Sequence, residues 1–380
     1  MKIIPVFRPS MGQEEIKAVA KVIQSGWIGL GPKTEEFEKK FANYVGAKYA
    51  VALNSATAAL HLAFMLLDIR GKEVITTPMT FISTNHAILY NGGRPVFTDI
   101  CRDTLNIDPL EIKKNITKNT KAIVVVHYGG HACQMEEILD IAKKNNLYVV
   151  EDAAHACGAW YKDKKLGTLG DIGCFSFHAV KNLATADGGM LVTDNKEWYD
   201  RVKKLRWVGI SKDTWAREEI QNKHSRYSWY YHVEELGFKC HMNDINAAIG
   251  LVQLKKLDAL NRKRRMLSRR YNEKFGELKW LESPVEKNYA KSSLHNYAIK
   301  TDYRNELNDF LSKKGISTSV HYIPNNHYPM YKKFGRPTPI AEEVWTKLLL
   351  LPLYPDMTVR QQDRVISCIK EFGKKYVKNQ

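Results

Sequence analysis

The sequence predicts an α/β protein: a large domain with a mostly parallel sheet flanked by helices, then a smaller C-terminal α+β domain. Three observations predict it. Between residues 45 and 195, short runs rich in Val and Ile alternate with segments of helical period. Those runs are apolar almost throughout, as strands covered on both faces are. Beyond about residue 260 the alternation stops, and isolated strand and helix signals follow.

The expected strands are Tyr49–Leu53, Glu73–Thr77, Pro95–Asp99, Ala122–His127, Tyr148–Asp152, Cys174–Phe177 and Met190–Thr193. Helical patterns lie between several of them, over Ala56–Leu67, Thr84–Tyr90 and Met135–Lys144. From about 196 to 250 the chain is rich in Trp, Tyr and charge with little period, which reads as a long connection. Leucines then recur at helical spacing through LVQLKKLDALNRKRRMLSRRYNEKF. In the last part HNYAIK and STSVHY read as strands, and Arg304–Lys314 and Val359–Phe372 as helices. The division is placed at 255/256, giving a large domain of 1–255 and a small one of 256–380.

At 380 residues the chain can bury one large core plus a smaller domain. No stretch approaches the roughly 20 apolar residues of a membrane span, and MKIIPVFRPSMGQEE lacks the apolar core of a signal peptide. A soluble, cytoplasmic protein is expected. The six cysteines are scattered without C-x-x-C spacing, so neither a metal site nor a disulfide framework is expected. The net charge of +17 attracts anions, from nucleic acids to phosphorylated metabolites. Its densest cluster, Arg262 to Arg270, reads as a solvated helix face. No nucleic-acid motif accompanies it.

Ligands of such sheets bind beyond the strand C-termini, and unusual residues gather at those ends. Ser55-Ala56-Thr57 opens a helix, where backbone N–H groups and hydroxyls suit a phosphate or form an ordinary N-cap. Asp152 ends YVVED, as a cap for the next turn or as the partner of a cation. Phe81, taken alone, is a core aromatic. Ser176 and His178 alternate with Phe175 and Phe177, so the two polar residues share one strand face. Lys181 follows as the strand ends. Partial desolvation there lowers an ammonium pKa and frees the amine, which forms Schiff bases with aldehydes such as pyridoxal phosphate. That cofactor needs a phosphate cup, an acid at its pyridine nitrogen and an aromatic against its ring. These residues supply all three together.

The chain resembles, nearly end to end, the DegT/DnrJ/EryC1/StrS family of sugar aminotransferases, of the pyridoxal-phosphate-dependent aspartate-aminotransferase fold (fold type I). The resemblance runs through SGWIGLGPKTEEFEKKFANYVGAKYAVALNSATAALHLA, PMTFISTNHAILYNGGRPVFTDI, EDAAHACGAWYKDKKLGTLGDIGCFSFHAVKNLATADGGMLVT, MNDINAAIGLVQL, HYIP and LPLYPDM. It implies that Lys181 carries the cofactor as a Schiff base and moves the proton. It implies Asp152 at the pyridine nitrogen, Phe81 on the ring, and Ala56, Thr57 and Ser176 around the phosphate. His155 stands near the cofactor's 3′-oxygen, His178 beside the sugar pocket, and His321 of HYIP at the diphosphate or sugar, with packing roles open for both. The implied reaction moves an amino group from L-glutamate to a nucleotide-linked keto sugar, in a homodimer with sites at the interface.

Family members that are 3-dehydratases carry histidine at the lysine position, so Lys181 argues against that branch. FSFHAVK is similar to members that aminate C4, of a 4-keto-6-deoxyhexose or a 4-keto pentose; amination of a 3-keto sugar at C3 is the alternative. In GFKCHM, Lys239 and His241 replace the Asn and Arg that in the family reach a neighbouring subunit's cofactor phosphate. Gly29 replaces a threonine near the sugar pocket, and the 207–232 region is longer and more aromatic than in many members. A cofactor-binding regulatory protein without turnover and a basic nucleic-acid-binding protein are the competing readings, and the second leaves the Lys181 block without purpose.

Overall fold

The computed structural model describes residues 3–211 and 231–377. The chain opens with α1 (Gln13–Gln24) and α2 (Pro32–Val45), followed by β1 (Tyr49–Leu53), α3 (Ala56–Leu66), β2 (Glu73–Thr76) and α4 (Ile82–Tyr90). Next come β3 (Arg94–Phe97), α5 (Pro109–Asn115), β4 (Thr120–Val126), α6 (Met135–Lys144) and β5 (Tyr148–Asp152). Two short strands, β6 (Trp160–Tyr161) and β7 (Lys164–Lys165), precede β8 (Ile172–Ser176), β9 (Gly189–Thr193) and α7 (Lys196–Leu205). After the long α8 (Asp244–Phe275) lie β10 (Ala290–Lys291), β11 (Tyr297–Lys300), α9 (Arg304–Lys313), α10 (Pro339–Lys347), β12 (Leu348–Leu351) and α11 (Val359–Tyr376).

The main sheet has seven strands in the order β1-β9-β8-β5-β4-β2-β3. Only β9 runs against its neighbours, so the sheet is mostly parallel as expected. Alternation within each strand divides the side chains between two cores. Ala50, Ala52, Ile123, Val125, Phe175 and Phe177 pack on one side with α2, α6 and α8. Val51, Leu53, Ala122, Val124, Val150 and Cys174 pack on the other with α3, α4 and α7. Each large aliphatic chain so buried contributes roughly 1.5–3 kcal/mol.

A third core joins Ile4, α8, α9, β11, β12 and α11. A fourth, with Val6, Met79, Leu105, Tyr128, Ala298 and Leu350, connects it to the main sheet. The 255/256 position falls inside α8, which contributes Leu251 and Leu257 to the first core and Tyr271 and Phe275 to the third.

The structure corrects four local expectations. STSVHY is not a strand: Ser319 makes a single bridge to Leu350, and β11 pairs instead with the unexpected β12, LLLL. Helices α1, α2 and α7 also escaped the alternation pattern. The basic stretch of α8 is not wholly a solvated face: Arg262 and Lys263 are exposed, but Arg264 is 2 % exposed, because helical period puts it in line with Leu260, Ser268 and Tyr271. Its Nη1 donates to the carbonyls of His295 and Leu353. Fourth, Phe81 is no core residue (below). Of the 207–232 region, residues 212–230 lie outside the described residues. No helix among the described residues is long and apolar enough to cross a membrane.

Candidate active site

The C-terminal ends of β1, β2, β4, β5 and β8 meet at one edge of the sheet, beside the start of β9. A cavity of about 590 Å³ opens there. Ala56, Thr57, Phe81, Asp152, His155, Ser176, His178, Lys181 and His321, all nine candidates from the sequence, line it.

At the β1 end, Ser55 caps α3 by accepting from the Ala58 N–H at 3.1 Å. The N–H groups of Ala56 and Thr57 have no acceptor among the described residues, as expected of a first helical turn. Gly189 makes this turn accessible from β9: a methyl group there would lie 2.3 Å from the Ser55 carbonyl. At Gly188 it would lie 2.4 Å from Thr185 Oγ1. The Gly-Gly pair is therefore a matter of close approach.

Asp152 is 4 % exposed. Thr84 Oγ1 donates to its Oδ2 at 2.7 Å, and the Ala154 N–H to its Oδ1 at 3.1 Å. Burial raises its pKa, opposed by those two hydrogen bonds and by the charge of Lys181. Its neighbour Glu151 points the other way along the strand. Burial pushes that carboxyl up, but His127 and the N–H groups of Gly167 and Gly170 overcome this and hold it low. The end of β5 is thereby braced from behind.

The strand β8 ends at Ser176, and a turn closed by the Lys181 N–H on the His178 carbonyl, 2.8 Å, delivers Lys181. Phe175 and Phe177 are wholly buried against Phe41 while Ser176 and His178 face the cavity. Desolvation lowers the Lys181 ammonium pKa to about 8, with Asp152 opposing the fall. An amine near its neutral form is thus available.

Phe81 is 57 % exposed, because as the residue before α4 it projects into the cavity mouth rather than the core. Its ring centre lies 6.1 Å from that of Tyr322. His155 and His321 belong to an aromatic stack with residues that local sequence does not single out. His155 lies 4.3 Å from His295, which stacks on Phe7 at 5.2 Å. His321 stacks on Tyr322 at 4.6 Å, and its carbonyl accepts from the Tyr128 hydroxyl. Desolvation, then the charge of Lys181, lowers the His321 pKa to about 4. Nothing short in the sequence announces His295 or Phe7; only HYIP, as a motif, flags Tyr322.

A buried asparagine fastens this segment to the sheet. Asn325 is 0 % exposed; it accepts from Asn85 Nδ2 at 2.7 Å and donates to the Thr80 carbonyl at 2.8 Å. Gly29, Lys239 and His241 lie off the cavity wall within one chain. Lys239 sits 3.1 Å over the Trp207 ring, and His241 pairs through its backbone with Leu53. Gly29 accepts from the Asp244 N–H.

The set fits pyridoxal phosphate: unsatisfied N–H groups at a helix start kept open by glycine, a buried acid, a ring face free to stack, and a depressed lysine. Fold and site together define a pyridoxal-phosphate-dependent transaminase. The chain belongs to the DegT/DnrJ/EryC1/StrS aminotransferase family, whose model matches residues 9–370. It is 43 % identical to the spore coat polysaccharide biosynthesis protein SpsC of Bacillus subtilis, over 98 % of this chain and 97 % of that one. Among solved structures it is similar to Streptococcus pneumoniae Spr1654 in PMP form, with TM-score 0.91 and 32 % identity over 98 % and 99 % of the two chains. The PLP form of that protein also matches, with TM-score 0.91 and 30 % identity over 99 % and 100 %. Helicobacter pylori PseC, an aminotransferase involved in the biosynthesis of pseudoaminic acid, matches with TM-score 0.91 and 30 % identity over 99 % and 100 %. The protein is a sugar aminotransferase, and its cofactor is pyridoxal phosphate.

Proposed function

We propose that this aminotransferase moves an amino group from L-glutamate to C4 of a nucleotide-linked 4-keto sugar, a 6-deoxyhexose or a pentose, with Lys181 as the catalytic residue. The observation that carries the site assignment is the convergence of Lys181 and Asp152 with the seven other candidates on one cavity. Pyridoxal phosphate supplies an aldehyde that bonds an amine and a ring that holds electrons released at the substrate carbon. Lys181 Nζ, poised near neutrality, would take a proton from the donor's carbon and deliver it to the carbon that was the aldehyde, and would run the same transfer in reverse with the keto sugar. Asp152 holds positive charge at the cofactor's ring nitrogen, while Thr84 fixes the carboxylate. Ala56, Thr57 and Ser176 cradle the phosphate, and Phe81 covers the ring. His155 stands by the ring's phenolic oxygen, and His178 and His321 face the sugar nucleotide.

The FSFHAVK sequence supports C4, and the biosynthetic roles of SpsC and PseC support a carbohydrate product. A homodimer acting in the cytoplasm belongs to the same reading. Exposure of Phe81 at the mouth is consistent with a second subunit covering it. The division into domains at 255/256 is likewise proposed, with α8 shared between them.

The test loads the enzyme with L-glutamate and then adds UDP-, GDP- and dTDP-linked keto sugars in turn. Cofactor absorbance should change with glutamate and return with a 4-keto sugar. Return only with a 3-keto sugar would overturn the C4 assignment. A response to glutamine or aspartate but not glutamate would overturn the donor.

A further inference from the structure

A second cavity, of about 210 Å³, shares no lining residue with the active-site cavity. One wall is α8; the opposite wall is the turn at 103–105, after β3, with Tyr128 and Gly129, after β4. The face that α8 turns to it carries Arg265, Ser268, Arg269 and Asn272, spaced i, i+3, i+4 and i+7. A helix stripe turned inward normally carries apolar residues. This one is polar throughout.

Most charges around the cavity are already matched. Arg265 donates to Glu286 at 2.7 Å and to the Ser292 carbonyl at 2.6 Å. Lys300 pairs with Glu282 at 2.7 Å, and Asp103 with Lys287 at 2.5 Å. Arg269, at the rim, has no hydrogen bond or ion pair among the described residues. The Ser268 hydroxyl has no partner among them either, although the residue is only 5 % exposed. A serine within a helix commonly turns its hydroxyl back on the carbonyl four residues earlier; Ser268 makes no such bond to Arg264.

We infer that this cavity is a second ligand site, for a small oxyanion, the phosphate or carboxylate group of a metabolite, with Arg269 as its counter-charge and Ser268 as a hydrogen-bond donor. A guanidinium meets either group through charge-assisted hydrogen bonds. The two acids that line the cavity, Asp103 and Glu286, are held by cations and do not oppose it. The volume lies below the roughly 300 Å³ at which sites for drug-sized ligands begin, so the ligand is small. The wall is also close to the catalytic cavity: the Gly129 N–H lies 3.3 Å from His155 Nδ1, and Tyr128 donates to the His321 carbonyl. The inference is independent of the amino donor and sugar proposed above.

The test follows the melting midpoint of the holoenzyme with rising inorganic phosphate or succinate, chloride holding the ionic strength constant. A ligand of the folded state raises that midpoint once its concentration exceeds its dissociation constant. The constant should rise at least about tenfold in Arg269→Gln and about threefold in Ser268→Ala. Arg262→Gln removes an exposed cation of α8 that does not line the cavity, and should leave it unchanged. Stabilisation by phosphate alone supports the site with a phosphorylated ligand, and by succinate alone with a carboxylate. No stabilisation by either probe, the same stabilisation in wild type and Arg269→Gln, or an equal loss in Arg262→Gln overturns the inference. Cofactor absorbance should be the same in wild type and all three variants; loss of cofactor from Arg269→Gln would trace the effect to the active site and overturn it as well.

Discussion

Lys181 shows what the protein sacrifices to keep a reactive amine. Its pKa is about 8 when folded against an ordinary 10.5. Below about pH 8 both the folded and the unfolded chain hold the proton, and the full cost of desolvating the charge is present. Between 8 and 10.5 the unfolded chain binds a proton that the folded one does not, so stability rises with pH across that window. The cofactor-free Lys181→Met variant should therefore be more stable than wild type near pH 7, by about 2–3 kcal/mol. Denaturant melts should show the gap closing near pH 10, and an equal gap at both values would contradict the desolvation account. All nine residues picked from the sequence reach one cavity. They were legible because strand C-termini and a long motif mark them locally. Phe7 and His295 were not, since their stacking with His155 joins positions far apart in the chain. Thr84 lies within PMTFISTNHAILYNGGRPVFTDI, but its service to Asp152 is likewise a long-range contact.

At the scale of elements, the site depends on how closely β9 passes the start of α3. Gly189→Ala would force the Ser55 carbonyl away and tilt the N–H groups proposed to hold the phosphate. Overpacking of this kind should cost about 2 kcal/mol or more. Equilibrium dialysis should show cofactor affinity falling at least about tenfold, near the value of one charge-assisted hydrogen bond. A variant that binds and melts like wild type would mean the contact relaxes freely. The seven principal strands were readable because burial on both faces leaves unbroken apolar runs. The two-residue strands β6, β7 and β10 are too short to carry a period. The run LLLL follows α10 without a breaker and reads as more helix until its pairing with β11 is seen. STSVHY has alternation enough for a strand, but the chain leaves Leu350 after one bridge to bring His321 and Tyr322 to the cavity.

At the scale of the molecule, the cavity is shared between the main sheet and the HYIP segment, and Asn325 joins them. Asn325→Leu would leave the Thr80 carbonyl without its Asn325 donor and remove the acceptor that Asn85 Nδ2 now reaches, a loss of about 2–4 kcal/mol. Thermal melts should report that loss, with the Michaelis constant for the sugar nucleotide rising alongside. Destabilisation without any change in substrate binding would confine Asn325 to a packing role. The same fastening decides how the enzyme admits its substrates. With its two walls joined at Asn325, the cavity is expected to behave as a keyhole rather than a pair of jaws, its mouth rimmed within this chain by Phe81, Ile323 and Tyr328.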